Sequence, residues 1–275
     1  MAKSSDGERL HYIEKIKPYK LAVDNILKWE KQVLNELRQE DADPVLKRLA
    51  LVDGMLNLAS NQIILNCISQ VLLKKNNEDA LGEARKSINK SLSYMEDLVS
   101  GYVDAPFSDY DEKVSALESI NSEQRYRLIR KMGLTIQLFE GSFRDNSKWK
   151  WTFIEIDGRF AAVTKNILDL KKINANMDPR SPNYEATVYH LRLVKKLLND
   201  AADRYRERYE LSTNHINDFQ ASLNFMNALR RIHIVLGEGY EAETIKKKLD
   251  VWEVKLQGDL NKKQEEKNAE KEANA

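Results

Sequence analysis

Few residues of this sequence have the types and spacing that metal chemistry needs. Glu8 and His11 have the Glu-x-x-His spacing of di-iron helical bundles, but such a site also requires a second pair and two further glutamates on facing helices. His190, His215 and His233 have no glutamate three residues before them. We therefore interpret Glu8 and His11 as a solvated pair, and we predict no metal site and no cofactor.

The one thiol of the chain, Cys67, is the next candidate for chemistry. A single cysteine excludes an internal disulfide and a cysteine-based zinc site within one chain. Because its sequence neighbours include Ile63, Ile64, Ile68 and Val71, we predict that Cys67 is a buried small hydrophobe rather than a reactive thiol. The sequence also has no glycine-rich phosphate loop. We predict no catalytic residue and a protein that is not an enzyme.

Two segments interleave tyrosine with arginine: residues 125–127 and residues 204–209. In single-stranded nucleic-acid binding, tyrosine stacks on bases while arginine neutralises phosphate. However, Tyr205 and Tyr209 belong to an apolar helical stripe, and nearby carboxylates offset the arginines. We favour packed tyrosines beside a solvated face, with a protein interface as the alternative. The chain has 44 basic and 43 acidic residues, which leaves no overall field to hold nucleic acid or an anionic membrane.

Trp151 is the residue that we expect at the centre of a partner-binding surface. If its segment is helical and Trp149 faces the core, Trp151 points about 200° away around the helix axis. An exposed tryptophan flanked by Lys148 and Lys150 is typical of an interaction anchor. We predict that Trp151, Tyr205 and Tyr209 contact a partner. For Tyr205 and Tyr209 the alternative is that their apolar stripe packs inside the chain.

Long helices must position these side chains. Ten glycines and five prolines in 275 residues provide little turn chemistry, and 32% charged residues are typical of solvent-facing helices with mixed charge. The sequence predicts an all-α fold, an elongated bundle of long amphipathic helices with coiled-coil-like packing. No apolar run has the 18 or more residues of a transmembrane span. Residues 1–20 show no apolar run resembling a signal peptide.

The helix predicted from Asp43 to Lys75 is the central element. Asp43 is a favourable N-cap and Pro44 a favourable first helical residue. Its apolar residues form two faces, so the helix must be covered on several sides. The first face comprises Leu49, Val52, Leu56, Ala59 and Ile63, and the second comprises Leu51, Met55, Leu58, Leu65 and Leu72. Amphipathic segments at residues 8–40 and 78–103 are predicted to pack beside it as a bundle.

The sequence predicts three regions. Residues 1–104 form an N-terminal helical hairpin or bundle, residues 105–258 form a long-helix bundle, and residues 259–275 form a charged tail that is a frayed helix or disordered. The boundary falls in the Pro- and Asp-containing stretch that begins at residue 104, which has the composition of a linker.

Two segments allow more than one structure. Residues 149–165 alternate like two strands around the Asp157-Gly158 turn, but a three-four repeat accounts for the whole segment, so we predict a helix. From Pro182 to about Leu236 the apolar repeat keeps one phase, which favours one long helix. The alternative is a new helix capped within residues 212–214.

The long helices, the heptad stretch from Tyr184 to Met226 and the Lys-, Asn- and Glu-rich charged tail resemble the flagellar coiling proteins of spirochaetes. The resemblance spans most of the chain in character and rests on no short motif, so no site residue carries over. It implies a structural role in an asymmetric sheath that covers the flagellar core and helps the filament to curve. The implied partners are filament or sheath subunits, and homo-oligomers are an option.

Two function classes therefore compete. The first is a non-enzymatic structural protein that binds other proteins along long helical surfaces, as in a flagellar sheath. The second is a helical adaptor or membrane-shaping scaffold, which a basic concave face would favour. Dispersed charge and exposed aromatic residues favour the first class. The resemblance implies a periplasmic location if the chain is a mature exported form, with the cytoplasm as the alternative.

Overall fold

The computed structural model describes residues 6–39, 43–143 and 150–273. These residues form ten α-helices and no strand, which confirms the predicted all-α class. The chain divides into two compact units. Unit 1 comprises residues 1–101 and 110–169, and unit 2 comprises residues 102–109 and 170–275. This division differs from the predicted boundary at residue 104, because the helices that follow residue 110 pack on the N-terminal helices.

Unit 1 contains the first six helices. In chain order these are α1 (Asp6–Arg38), α2 (Pro44–Leu73), α3 (Glu78–Leu98), α4 (Asp111–Ser115), α5 (Ser122–Gly141) and α6 (Lys150–Asn166). Helix α6 covers the ambiguous segment 149–165 except its first residue, so the helical prediction is confirmed and the strand alternative is excluded there. Trp149 lies outside the described residues.

Helix α2 is the centre of unit 1, as predicted. The Asp43 side chain accepts hydrogen bonds from the amides of Val45 and Leu46 at 3.0 and 3.3 Å, and Pro44 occupies the first turn. Helices α1 and α3 pack on α2 from different sides. The members of both predicted apolar faces that are buried are Leu51, Val52, Met55, Leu56, Leu58, Ala59, Ile63 and Leu65.

Polar side chains tie the surrounding helices together. Glu30 of α1 is only 4% exposed, and its carboxylate accepts hydrogen bonds from Lys90 Nζ at 2.9 Å and from Tyr94 Oη at 2.8 Å on α3. Arg159 of α6 binds the Glu96 carboxylate of α3 with two nitrogens at 2.7 Å. A buried carboxylate is stable only when it is paired in this way, so these contacts select one arrangement of the helices.

Arg125 of α5 is a buried residue of unit 1, contrary to the solvated face predicted for residues 125–127. It is 5% exposed, and its guanidinium donates to the carbonyls of Leu117 at 2.9 Å, Ile167 at 3.1 Å and Ile120 at 3.2 Å. Burial lowers its pKa, and the charge of Asp169 opposes that shift. Carbonyls at helix ends lack partners of their own helix, and here one arginine satisfies several of them.

Unit 2 contains α7 (Ile173–Asn176), α8 (Tyr184–Arg208), α9 (Ile216–Val235) and α10 (Gly239–Ala273). The prediction of one helix from Pro182 to Leu236 is wrong. Helix α8 ends in a π-helical turn, Tyr209–Thr213, and Asn214 has the left-handed φ of 50°. The chain then reverses, so that α9 packs back on α8. Ser222 Oγ of α9 donates to the Ala202 carbonyl of α8 at 2.8 Å, and Phe225 stacks on Tyr205.

The reversal in unit 2 is held by buried polar groups. Arg208 forms an ion pair with Asp218, and Thr213 donates to the same carboxylate. Helix α10 then packs on α9, with Trp252 only 3% exposed beside Phe219. Residues 259–273, for which the sequence indicated a frayed helix or disorder, continue α10.

Among the described residues, α2 is the one helix whose length and composition match those of a membrane span. Core helices of folded domains meet the same criteria. In this chain α2 is packed by α1 and α3, and eight of its apolar residues are buried in unit 1.

The ring of Trp29 on α1 lies directly against Gly54 of α2. A Cβ atom at Gly54 would overlap the ring of Trp29, with Cη2 at 2.9 Å, whereas a Cβ at Gly82 of α3 would meet no atom within 4 Å. We expect Gly54→Ala to destabilise the fold by about 1 to 3 kcal/mol through overpacking. Gly82→Ala should stabilise it by up to about 1 kcal/mol through helix propensity. Urea unfolding measures both, and a gain for Gly54→Ala would contradict this packing.

Removing Arg125 should be costly for the same structural reason that it is buried. We expect Arg125→Met to lower the free energy of unfolding by about 3 kcal/mol, because several buried carbonyls lose their donor. Arg127→Met is the matched control, since Arg127 is exposed and paired only with Glu123 one turn away. Its effect should stay within about 0.5 kcal/mol. Equal midpoints for the two variants in chemical denaturation would show that the Arg125 contacts do not stabilise unit 1.

Candidate protein-interaction groove

One strip of α2 keeps apolar residues on the surface of unit 1. The residues Ile64, Cys67, Ile68 and Val71 follow the i, i+3, i+4, i+7 spacing of a helix face that packs on another helix. Cys67 and Val71 are exposed, Val71 to 64%, and Ile64 and Ile68 are half-buried. We call these four residues the α2 strip. Its spacing is that of a buried face, but α1 and α3 cover it only in part and leave Cys67 and Val71 exposed.

A groove of about 350 Å³ lies between this strip and α1. Helix α2 contributes Cys67, Ile68, Val71 and Leu72 to its lining, and helix α1 contributes His11, Lys15 and Tyr19. Tyr19, together with Tyr12 and Ile68, also packs against a buried cluster of Ile16, Leu65 and Ala80. The groove wall is therefore supported by the packed core of unit 1, so it is a formed surface and not a loose gap.

Among the described residues that line the groove, Lys15 is the one permanently charged side chain and none is a carboxylate. Lys74 and Lys75 are exposed and follow directly on the end of α2, with Lys74 in the left-handed conformation at φ 53°. Within the described part of the chain these three lysines form no ion pair. The groove thus has a mainly apolar lining, and we call Lys15, which lines it, together with Lys74 and Lys75, which follow α2, its basic rim.

The position of Cys67 corrects the sequence-based prediction. The thiol was expected in the core because its neighbours along α2 are apolar, but it is exposed on the α2 strip. Helix α2 has more apolar surface than its neighbours cover, and the uncovered part contains Cys67. The informative signal in the sequence was the apolar circumference of α2, which exceeds what two packed neighbours bury.

The three predicted partner-binding residues are divided between the two units. Trp151 lies in the first turn of α6 in unit 1, where it is half-buried and makes contacts within the chain. Tyr205 belongs to unit 2 and is half-buried, with its ring stacked on Phe225 at a centroid distance of 5.4 Å. Trp151 keeps part of its surface available to a partner, but less than the outward-facing position that the helical geometry indicated.

Tyr209 is a core residue of unit 2 and offers almost no surface to a partner. It is 4% exposed, its ring lies 5.0 Å from that of Phe219, and its hydroxyl donates to Asp259 Oδ2 at 2.8 Å. Burial and this hydrogen bond raise the pKa of Tyr209 to about 12. We therefore do not retain Tyr209 as a partner contact. Its stripe has the alternative role, packing inside the bundle.

A second concave surface, of about 520 Å³, lies between α3 and α6. Arg85, Lys86, Lys90 and Arg159 line it, and Thr152, the residue after Trp151, does so too. Three of its four cations pair with carboxylates of unit 1, because Lys86 binds Glu83, Lys90 binds Glu30 and Arg159 binds Glu96. Burial and the hydrogen bond to Glu30 raise the pKa of Tyr94 above its usual value. The cations of this cleft therefore serve mainly to link helices within unit 1.

No group of three or more potential metal-binding side chains is found in residues 6–39, 43–143 and 150–273. His11, the histidine of the Glu-x-x-His pair, lines the groove beside Lys15. Glu8 is exposed and makes a contact within the chain.

Comparison with known proteins identifies the family of the chain. The model described as the TP0443 family matches residues 8–260. The family name is associated with Treponema, which is consistent with a spirochaetal protein. No curated protein and no solved structure matches the chain.

The exposed Cys67 gives a direct test of the groove. We expect the single thiol of the folded protein to react completely with a thiol reagent such as DTNB without denaturant, because its sulfur is accessible on the α2 strip. Addition of urea to unfolding concentrations should raise the rate by less than about tenfold. A thiol that reacts only after unfolding would show that Cys67 is buried in the core and would refute the groove as a surface site.

Proposed function

The chain belongs to the TP0443 family, whose model spans most of its length, and from that premise we propose that it is a non-enzymatic structural protein that binds other proteins along its helical surfaces. The observation that carries the proposal is the α2 strip with its groove. The strip keeps exposed and half-buried apolar residues side by side, and such a surface on a folded domain is typical of interaction sites, since water-exposed apolar area is costly unless a partner covers it.

Other helices of unit 1 support the same interpretation. Leu10, Ile13 and Leu21 of α1 are 69%, 59% and 61% exposed, and they recur at helical spacing on one side of α1. Leu134 and Leu138 of α5 are one turn apart and 51% and 59% exposed. Single exposed leucines are ordinary, but stripes with the period of a helix are suited to packing against other helices.

The distribution of charge favours this function over a membrane-shaping scaffold. A scaffold that bends an anionic membrane needs a basic face whose cations are available to lipid headgroups. The α3–α6 cleft has four cations, but Lys86, Lys90 and Arg159 are already paired with carboxylates. The whole chain has a net charge of +1. A helical adaptor remains the alternative, since it would use the same apolar surfaces.

The more specific part of the proposal is a role in the sheath of the periplasmic flagellum, where the protein would contribute to filament curvature and motility. It is supported by the resemblance to flagellar coiling proteins and by the Treponema-associated family name. The partners would be filament or sheath subunits, and the location would be periplasmic. Biochemically, the sheath role predicts that the native protein stays attached to isolated flagellar filaments and sediments with them.

The general function is tested on the native protein. We expect it to elute from a sizing column in a complex well above the 31.9 kDa of one chain, with one or more partner subunits at fixed stoichiometry. Elution as a single free chain under mild extraction would oppose the proposal. Attachment to filaments supports the sheath role, whereas a stoichiometric complex elsewhere in the cell supports the adaptor alternative.

Trp151 provides the mutational test at the surface predicted from sequence. Trp151→Ala should weaken assembly by about 2 kcal/mol, roughly 30-fold in affinity, which is the scale of an aromatic anchor. The melting temperature should fall by only a few degrees, because the ring is half-buried. Tyr240→Ala on α10, where Tyr240 is 82% exposed, is the control. Unchanged assembly by Trp151→Ala would exclude this surface, and global unfolding would assign Trp151 to the core.

A further inference from the structure

We propose that the groove between α1 and α2 receives an amphipathic helix of a partner protein, with apolar residues on one face and acidic residues beside them. This inference rests on the proposed function and names the kind of partner that the groove binds. It concerns only unit 1, where every residue used in the argument lies.

The spacing of the α2 strip defines the shape of the partner. Ile64, Cys67, Ile68 and Val71 occupy one side of α2 over two turns, and the groove continues to Tyr19 on α1. A helix laid along such a strip places its own residues at i, i+3, i+4 and i+7 into the spaces between these side chains. A groove of about 350 Å³ accepts apolar side chains of one helix and is too small for a folded domain.

The charge of the rim defines the flanks of the partner helix. Lys15 lines the groove, Lys74 and Lys75 follow α2 two and three residues after the lining Leu72, and no described lining residue is a carboxylate. Glu78 and Asp79 are the next acidic residues along the chain, and they lie in the first turn of α3, where the helix dipole favours them. Glutamate or aspartate beside the apolar face of the partner would meet the three lysines at the rim, which steers association and sets orientation.

A second copy of the chain fits the groove less well than an acidic helix does. In a two-fold dimer the same patch faces itself, so the lysines of one copy would approach a second patch whose described lining has a lysine and no carboxylate to pair with them. Like charges brought together in this way oppose binding. A lipid surface is also a poorer occupant, because Ile68 and Leu72 line the side of a groove and do not project from a convex face.

Cys67 makes the groove measurable, because it is the one thiol of this sequence and it lines the groove. The experiment follows the rate of Cys67 alkylation by N-ethylmaleimide. The first probe is a synthetic amphipathic helix with leucines at i, i+3, i+4 and i+7 and glutamates on both flanks. The second probe is the same peptide with lysine in place of each glutamate.

We expect saturating acidic peptide to slow alkylation at least tenfold and the lysine peptide to leave the rate within twofold of the free protein. Added salt should weaken the protection, because the rim lysines are exposed to solvent. Equal protection by both peptides, or protection by neither, would overturn the proposal.

Variants assign the effect to the rim. In the double variant Lys74→Glu with Lys75→Glu, the concentration of acidic peptide that protects Cys67 from alkylation should rise at least tenfold. The lysine peptide, in contrast, should now protect Cys67. The control is Lys246→Glu with Lys247→Glu, which changes two adjacent exposed lysines on α10 in unit 2. This control pair should behave like the parent chain. If the rim pair and the control pair behave alike, the acidic specificity of the groove is refuted.

Three further outcomes would each overturn the inference, and the first two identify another occupant. Slower alkylation as the concentration of the chain alone rises would indicate a second copy in the groove. Protection by phosphatidylglycerol vesicles but not by the acidic peptide would indicate a lipid surface. If the native complex forms while Cys67 reacts at the rate of the free chain, the groove is empty in the assembly, although the proposed function stands. Absence of any native complex would instead remove the proposed function.

Discussion

The structure of unit 1 depends on the covering of α2. This helix is apolar around much of its circumference, and exposing that area to water would cost more than the fold can tolerate. Helices α1 and α3 cover most of it, and α5 packs on it as well. Gly54 allows the ring of Trp29 to approach the backbone of α2 closely. What remains uncovered is the α2 strip, so the same constraint that assembles the unit also leaves its candidate binding surface.

Buried polar contacts determine how the covering helices are arranged. Apolar packing alone tolerates shifts along a helix, whereas an unpaired buried charge does not. Glu30 selects the alignment of α1 with α3 through Lys90 and Tyr94, and Arg159 selects that of α6 with α3 through Glu96. Arg125 satisfies carbonyls of Leu117 and Ile167, which belong to segments 50 residues apart in sequence. Charged side chains usually lie at the surface, but these three determine how the helices of unit 1 are aligned.

Two cases show why hydrophobic periodicity did not predict the helical hairpin of unit 2 or the exposed thiol of the groove. The apolar repeat keeps its phase from Tyr184 to Met226 because α8 and α9 fold back on each other, and each presents its stripe to the other, as Tyr209 does to Phe219. A straight helix and a hairpin can therefore have the same pattern, and the hairpin was decided by Arg208, Thr213 and Asp218 at the turn. Cys67 is the second case, because a residue whose neighbours in the sequence are apolar is exposed on the surface.

The sequence by itself determined the all-α class, the start of α2 at Asp43 and Pro44, and the helical state of the segment around Trp151, because caps and helical periods are local properties. It did not determine the division into two units, the reversal after Arg208, or the exposure of Cys67 and the burial of Arg125 and Tyr209. Each of these depends on which faces of different helices meet. Residues far apart in sequence compete for the same apolar surface, and only the tertiary structure decides which face of α2 is left for a partner.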